Sequence, residues 1–458
     1  MSETTIAAIS TANGRGGVAV IRISGEKSLD IAEKMFIPVG KTTVKNFSPY
    51  RMYPGNIVAE NFTDFGMCVY FQAPKSYTGE DIVEFHCHGG SEIAKGVLKR
   101  TFSLGARPAA AGEFTKRAFL NGKMSLSAAE GVIDMINAQS ESMIKAGYSL
   151  YQNDLGEKIK HVQNQLTNLL ASIEVDIDYP EEDLQNSLPD LINVKERLHS
   201  LCEELNRLKT SYETVGKRVK NGITVAIVGK PNSGKSSLLN AVLGYDKAIV
   251  SDIEGTTRDV VEGVIDIKGL QFHLYDTAGI RESKDVIERI GVEKAEKLMD
   301  EADIVLHVVD GAKALEQSDV SLSRTIAQSK KLLHLTVFNK SDISTVYEAE
   351  KSELGEIPYV EISAKEGKNV DLLLEKMYRA MEQNYNFDSE FVVEERHYGA
   401  LREAAECLKS AYLHCDSITM DMLTVVIQQA WQTLGEITGE TANEEIINEI
   451  FSKFCVGK

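Results

Sequence analysis

Apolar positions along the chain change their spacing twice. Up to residue 122, short β-branched runs alternate with polar turns, so residues 18–23, 66–71 and 81–88 read as strands and 91–102 as a helix. From 126 to about 216 the spacing turns helical, with Ile159, Val162, Leu166, Leu169 and Ile173 on one stripe. The polar stretch 178–183 interrupts it, and a second helix follows through Leu198, Leu201, Leu205 and Leu208. Continuous apolar strands then return at 223–228, 264–267, 272–275, 332–338 and 359–362, with Lys268-Gly269 as a hairpin turn. Helical spacing resumes from about 394 to 451. Neither helical stretch closes a bundle alone. A bundle built from both, with 216–384 inserted, buries both stripes, and insertion is easy because domain termini lie close together.

The expected architecture is therefore multidomain, α/β plus all-α. It comprises a mixed α+β segment at 1–122, a first helical segment at 123–215, an inserted phosphate-loop nucleotide domain at 216–384, and a second helical segment at 385–458. Composition changes little in this picture. Hydrophobic content is 43% and charged content 26%, ordinary for a globular protein. No apolar run is long enough to span a bilayer and no targeting segment stands out, so no membrane role and a cytoplasmic location are expected. Six cysteines without a C-x-x-C pair fit a reducing compartment. The net charge of −18 excludes a chain that coats nucleic acid with its whole surface. Between 91 and 123, however, Lys95, Lys99, Arg100, Arg107, Lys116, Arg117 and Lys123 face only Glu92 and Glu113. That excess reads first as a solvated helix face and leaves an anionic ligand open. In the strand at 81–88, period two puts Glu84, His86 and His88 on one face, a candidate metal set that more often is a hydrogen-bonded polar pocket.

The densest chemistry lies in the inserted segment. Gly229-Lys230-Pro231-Asn232-Ser233-Gly234-Lys235-Ser236 fits G-x-x-x-x-G-K-[ST] between a strand and a helix containing Ser237. Backbone N–H groups there converge at the positive end of a helix dipole, Lys235 can meet β- and γ-phosphates, and Ser236 can ligate Mg²⁺. The loop Ser251-Asp252-Ile253-Glu254-Gly255-Thr256-Thr257 supplies threonines for the metal and γ-phosphate, and Asp276-Thr277-Ala278-Gly279 the metal's outer carboxylate and a γ-phosphate N–H. Asn339-Lys340-Ser341-Asp342 offers a carboxylate to guanine N1–H and its 2-amino group, and Ser363-Ala364-Lys365 an N–H to O6. Adenine would leave that carboxylate unpaired, so the order of five motifs predicts a GTP site. Ile280 follows Gly279 and cannot orient water, so the water-positioning group and extra positive charge must come from elsewhere.

Residues 229–240, the loop 255–259, Ile280, and the tail Cys455-Val456-Gly457-Lys458 together resemble the MnmE (TrmE) family of tRNA-modifying GTPases. Gly14-Arg15-Gly16-Gly17, Tyr77-Thr78-Gly79-Glu80-Asp81, His88-Gly89-Gly90 and Gly112-Glu113-Phe114 extend the resemblance over the whole chain. It implies a folate-binding N-terminal domain, a split helical domain and an inserted GTPase domain. It also implies a homodimer that works with the flavin-dependent partner MnmG (GidA) on tRNA. The expected reaction is K⁺-dependent GTP hydrolysis coupled to placing an aminomethyl or carboxymethylaminomethyl group on C5 of the wobble uridine, with a 5-formyltetrahydrofolate-like donor. Carried over by motif, Ser236 and Thr257 resemble Mg²⁺ ligands, and Asn232, Thr256 and the carbonyls of Ser251 and Ile253 resemble K⁺ ligands. Glu288 matches the catalytic glutamate, and Arg22, Glu84, Lys123 and Lys458 match the folate pocket. Cys455 invites a nucleophile reading that ranks below a cysteine lining that pocket. A ribosome-assembly switch GTPase is the alternative function, and it leaves the segment 1–122 without a use.

Overall fold

The computed structural model describes residues 4–12, 14–178, 191–244, 263–276, 298–327, 333–343, 357–387 and 391–458. The chain divides into two compact units, each assembled from separate pieces of sequence. One comprises Met1–Ile136, Gly147–Leu201 and Glu403–Lys458; the other comprises Asn137–Ala146 and Cys202–Arg402.

The first unit contains a seven-stranded sheet. Strands β1 (Ile6–Ile9), β2 (Val18–Ser24), β3 (Phe36–Pro38), β4 (Met52–Val58), β5 (Thr63–Phe71), β6 (Ile82–His88) and β7 (Arg107–Pro108) run in the order β3-β4-β5-β6-β2-β1-β7. Only β1–β7 is parallel, so most connections are short. Alternation decides what each face meets. Ile21, Ile23, Ile57, Cys68, Val83, Phe85 and Cys87 bury one face against Ile31, Ala32 and Met35 of α1 (Ser28–Met35) and Ala94 and Val97 of α2 (Ser91–Ser103). Each such side chain contributes about 2 kcal/mol of burial. The opposite face carries Arg22, Glu84 and His86, as period two predicts, and is covered at its β1 end by Phe114 of α3 (Glu113–Leu120).

The first helical stretch is not one helix but three, α4 (Leu126–Asn137), α5 (Glu141–Tyr151) and α6 (Asp154–Asp178), followed by α7 (Leu191–Ser211). The stripe Ile159, Val162, Leu166, Leu169 and Ile173 on α6 is fully buried. It packs on a helix from beyond the inserted segment, Met420–Thr438, whose Leu423, Ile427, Ala430, Leu434 and Ile437 are buried. Gln163 Nε2 donates to Trp431 O at 3.1 Å across the same contact. The two halves of the sequence thus share one bundle.

The second unit holds α8 (Lys217–Asn221) and a six-stranded sheet of β8 (Ile223–Val228), β9 (Gly263–Ile267), β10 (Leu270–Asp276), β11 (Ile304–Asp310), β12 (Leu333–Asn339) and β13 (Tyr359–Glu361). The order is β13-β12-β11-β8-β10-β9, all parallel except the β9–β10 hairpin. Helices α9 (Lys235–Leu243), α10 (Gln317–Ala327) and α11 (Val370–Asn384) accompany it. The remaining helical stretch is also broken, into α12 (Glu395–His414), α13 (Met420–Thr438) and α14 (Glu444–Ser452).

Candidate functional site

Strand β8 is buried between β10 and β11, and its carboxyl end releases the phosphate loop at the sheet's centre. Two backbone features fix the loop. Asn232 has φ 64°, and Gly234 has φ 97° with an imagined Cβ only 2.1 Å from Asn339 Nδ2, so neither its conformation nor its space admits a side chain. Helix α9 begins at Lys235 and aims its first N–H groups into the loop. The Lys235 ammonium donates to the carbonyls of Gly229 (3.0 Å) and Lys230 (2.8 Å). The Ser236 hydroxyl donates to Asp276 Oδ2 at 3.1 Å, uniting the hydroxyl and the outer carboxylate expected around Mg²⁺.

The motifs expected to read the base converge on the same loop. Asn339, 2% exposed at the end of β12, sends Nδ2 to the carbonyls of Ser233 (3.3 Å) and Gly234 (3.5 Å). Its Oδ1 accepts from the N–H groups of Lys340 (2.8 Å) and Ala364 (3.0 Å). One amide therefore ties the phosphate loop to both base-side segments. Lys340 Nζ reaches Asn232 O at 3.0 Å and Asp310 Oδ2 at 2.7 Å. Ser363 Oγ donates to Asp342 Oδ1 at 2.7 Å, and that hydrogen bond holds the exposed Asp342 carboxyl below the usual range, ready to accept. Sequence reasoning did not single out Asp310, Lys230 or Asp319. Lys230 pairs with Asp319 at 2.7 Å across 89 positions, and no local pattern marks so distant a partner. The expected residues Ser251, Asp252, Ile253, Glu254, Gly255, Thr256, Thr257, Thr277, Ala278, Gly279 and Glu288 lie outside the described residues.

The other candidate site lies in the first unit. Arg22 and Glu84 are cross-strand partners on β2 and β6, joined Nε to Oε1 at 2.7 Å. The guanidinium lies 5.5 Å from the Tyr77 ring centroid and 5.6 Å from that of Phe114. Burial opposes the Glu84 charge, but the His86 hydrogen bond and Arg22 outweigh it and hold the carboxyl below its ordinary value. The C-terminal tail folds onto this region: Phe114 N–H donates to Lys458 O at 3.2 Å, and Val456 bridges Ala111. Gly457, at φ 101°, passes so close that a Cβ would stand 2.2 Å from Ile9 O. Lys123 lies against Gly79, two residues beyond Tyr77. The structure thus gathers Arg22, Glu84 and the Lys458 backbone around Phe114, with Lys123 beside the Tyr77 loop. Neither lysine ammonium bonds Arg22 or Glu84 among the described residues. The metal reading of the β6 face is not realised. His86 turns to Glu84 (3.4 Å) and His88 to Asp64 (2.6 Å), and no group of three candidate ligands forms among the described residues. The basic excess resolves partly into ion pairs, with Arg117 8% exposed between Glu80 and Glu113.

Comparison with known proteins identifies the family. A family model described as MnmE helical domain matches residues 126–455, and one described as GTP-binding protein TrmE N-terminus matches residues 5–123. The tRNA modification GTPase MnmE of Natranaerobius thermophilus is 41% identical over 466 positions, covering 100% of both chains. That of Clostridioides difficile is 38% identical over 466 positions, covering 100% of this chain and 99% of the relative. Among solved structures, Era from Aquifex aeolicus bound to GDP and AlF4⁻ is 29% identical over 40% of this chain and 66% of its own, with a TM-score of 0.26. The G domain of T. maritima FeoB is 25% identical over 34% of this chain and 98% of its own, also at 0.26. Full-length identity and two family models covering nearly every residue establish that the chain belongs to the MnmE (TrmE) family of tRNA modification GTPases.

Proposed function

We propose that this GTPase drives C5 aminomethylation or carboxymethylaminomethylation of the tRNA wobble uridine, taking a one-carbon unit from a tetrahydrofolate held by Arg22, Glu84, Lys123 and Lys458. The observation that carries the reading is the tail seated on Phe114 beside the Arg22–Glu84 pair, which brings the C-terminus into a second site in the unit that lacks the phosphate loop. The division into segments 1–122, 123–215, 216–384 and 385–458 assigns that site to the first segment and GTP to the third. Ser236 and Thr257 hold Mg²⁺, and the Ser236–Asp276 hydrogen bond supports the first of these roles. Asn232, Thr256 and the carbonyls of Ser251 and Ile253 hold K⁺; the ion adds positive charge at the phosphates, the role an arginine finger has elsewhere. Glu288 positions the attacking water, a role Ile280 cannot fill. The protein acts in the cytoplasm as a homodimer with a flavin-dependent partner of the MnmG type. An exposed apolar sheet face bordering the Arg22 site, formed by Ile37, Met52, Phe65 and Met67, supports the dimer.

One experiment with several arms tests this. Deleting Cys455–Lys458 should abolish 5-formyltetrahydrofolate binding and tRNA modification while GTP hydrolysis stays within about twofold of wild type. Hydrolysis by wild type should run much faster in K⁺ than in Na⁺, and Asn232→Ala should erase that preference. Glu288→Ala should lower kcat by roughly a hundredfold with GTP-analogue affinity kept. Unchanged folate affinity in the truncated chain refutes the pocket, equal rates in both salts refute the ion, and a wild-type kcat in Glu288→Ala refutes the water-positioning role.

A further inference from the structure

Lys230, the second residue of the phosphate loop, extends its side chain to the start of α10. Its ammonium meets Asp319 Oδ2 at 2.7 Å and Glu316 Oε2 at 2.9 Å. Two things separate this pair from an ordinary surface ion pair, which contributes little. The Asp319 side chain is only 8% exposed, so its charge depends on a partner. Its Oδ2 also accepts from the Glu316 N–H at 3.2 Å, which fixes the carboxylate on the helix. Burial disfavours the Lys230 charge, yet the two carboxylates outweigh it and raise its pKa above the usual lysine value. The backbone of the same residue faces the other way. Lys230 O accepts from Lys235 Nζ at 2.8 Å and from Ser233 N–H at 3.3 Å. The side chain is therefore anchored to a helix while the carbonyl holds the lysine that meets phosphate.

We propose that Lys230 is a positioning residue for the phosphate loop, acting through Asp319 and Glu316 to hold its own carbonyl where it orients the Lys235 ammonium. The proposal rests on the reading that Lys235 binds the nucleotide's phosphates. An anchored carbonyl leaves Lys235 fewer directions before the nucleotide arrives, so the benefit is pre-organisation shared by GDP, GTP and the transition state. Its loss belongs in affinity and not in the chemical step.

The test is the dissociation constant of the full-length chain for a fluorescent GDP analogue, with kcat at saturating GTP beside it. Lys230→Met keeps the aliphatic stem and removes the charge; it should weaken binding about tenfold, the scale of one lost charge-assisted contact, with kcat within about threefold. Lys230→Arg should stay near wild type. Asp319→Asn should weaken binding, and the Lys230→Met/Asp319→Asn double variant should be no weaker than the worse single, because both remove one interaction. A purely structural role would lower the melting temperature without changing the affinity of the folded fraction. Wild-type affinity in Lys230→Met, equal weakening by Lys230→Arg, or additive losses in the double variant each overturn the proposal. If Lys230→Met does not fold, Lys230→Arg and Asp319→Asn decide it on the same terms. Lys235→Ala, measured in parallel, tests the underlying reading separately: unchanged GDP affinity there refutes the role of Lys235 itself.

Discussion

His307 occupies a fully buried position on β11, where neither ring nitrogen has a partner among the described residues. Burial pushes its pKa down to about 4, and His334 on the adjacent β12 is likewise pushed to about 4. Thr336 Oγ1 and Ser323 Oγ are buried nearby, also without a partner among the described residues, so a polar seam divides two apolar clusters on this face of the sheet. The seam has a stability consequence. With the folded pKa below the ordinary 6.5, the unfolded chain takes up a proton that the native ring refuses. Stability from neutral His307 is complete above pH 6.5 and falls as pH drops toward 4, by about 3 kcal/mol in all. His307→Leu should lose less stability than wild type between pH 7 and 5 in thermal unfolding of the nucleotide-binding unit. Identical losses in both proteins would sink the prediction. The phosphate loop was legible in the sequence because its chemistry is contiguous: eight residues carry the glycines, the lysine and the serine. His307 was not, because residues 304–310, strand β11, carry no motif and were not among the strands expected from the spacing. Asp319 was not, because its partner Lys230 lies 89 positions away.

Helix periodicity located the stripe on α6 without marking where the preceding helices begin and end. The break between α4 and α5 contains neither proline nor glycine. Ser140 Oγ accepts from Met143 N–H at 3.3 Å, a cap written locally, but the bend itself rests on distant contacts. Gln139 Oε1 accepts from Gln271 Nε2 at 2.8 Å, and Ser142 N–H donates to Gly269 O at 3.2 Å. The segment Asn137–Ala146 therefore belongs to the nucleotide-binding unit, clipped to the β9–β10 hairpin whose second strand ends at Asp276. No single-residue propensity reports such a contact. Gln271 is 7% exposed and its Oε1 keeps His273, so Gln139→Ala takes the partner from its buried Nε2 alone and should cost about 1–3 kcal/mol. Hydrogen exchange should quicken in the hairpin while GDP affinity stays at the wild-type level. An unchanged melting temperature together with unchanged exchange would show that the clip contributes nothing.

At the scale of the molecule, the alternation of strand-rich and helix-rich stretches was legible because the spacing of apolar residues changes with it. The joining of α6 with α13 followed from the need of two incomplete stripes for each other. What no pattern of one chain states is which surface meets a second copy. The sheet of the first unit is covered on the face that meets α1 and α2, whereas among the described residues Phe114 covers its other face toward β1. Beyond the Arg22–Glu84 pair that face continues as Met67 (38% exposed), Phe65 (53%), Met52 (50%) and Ile37 (60%), with the exposed Asn56 between Phe65 and Ile37 and with Pro54 opposite Met67. Four large apolar side chains exposed on one sheet face favour covering by another surface, which supports the proposed homodimer. The folate pocket would then sit at the patch's border, so dimerisation and folate binding would be linked and each would strengthen the other. Replacing Phe65 and Met67 with glutamate places two charges at the centre of the patch without touching the covered face. The double variant should sediment as a monomer at concentrations where wild type is a dimer, with its dimer dissociation constant raised at least about a hundredfold. GDP binding, made wholly within the other unit, should be unchanged, whereas folate affinity should fall with the loss of the dimer. A wild-type chain that sediments as a monomer, or a double variant that stays dimeric, assigns this face to something other than a second copy.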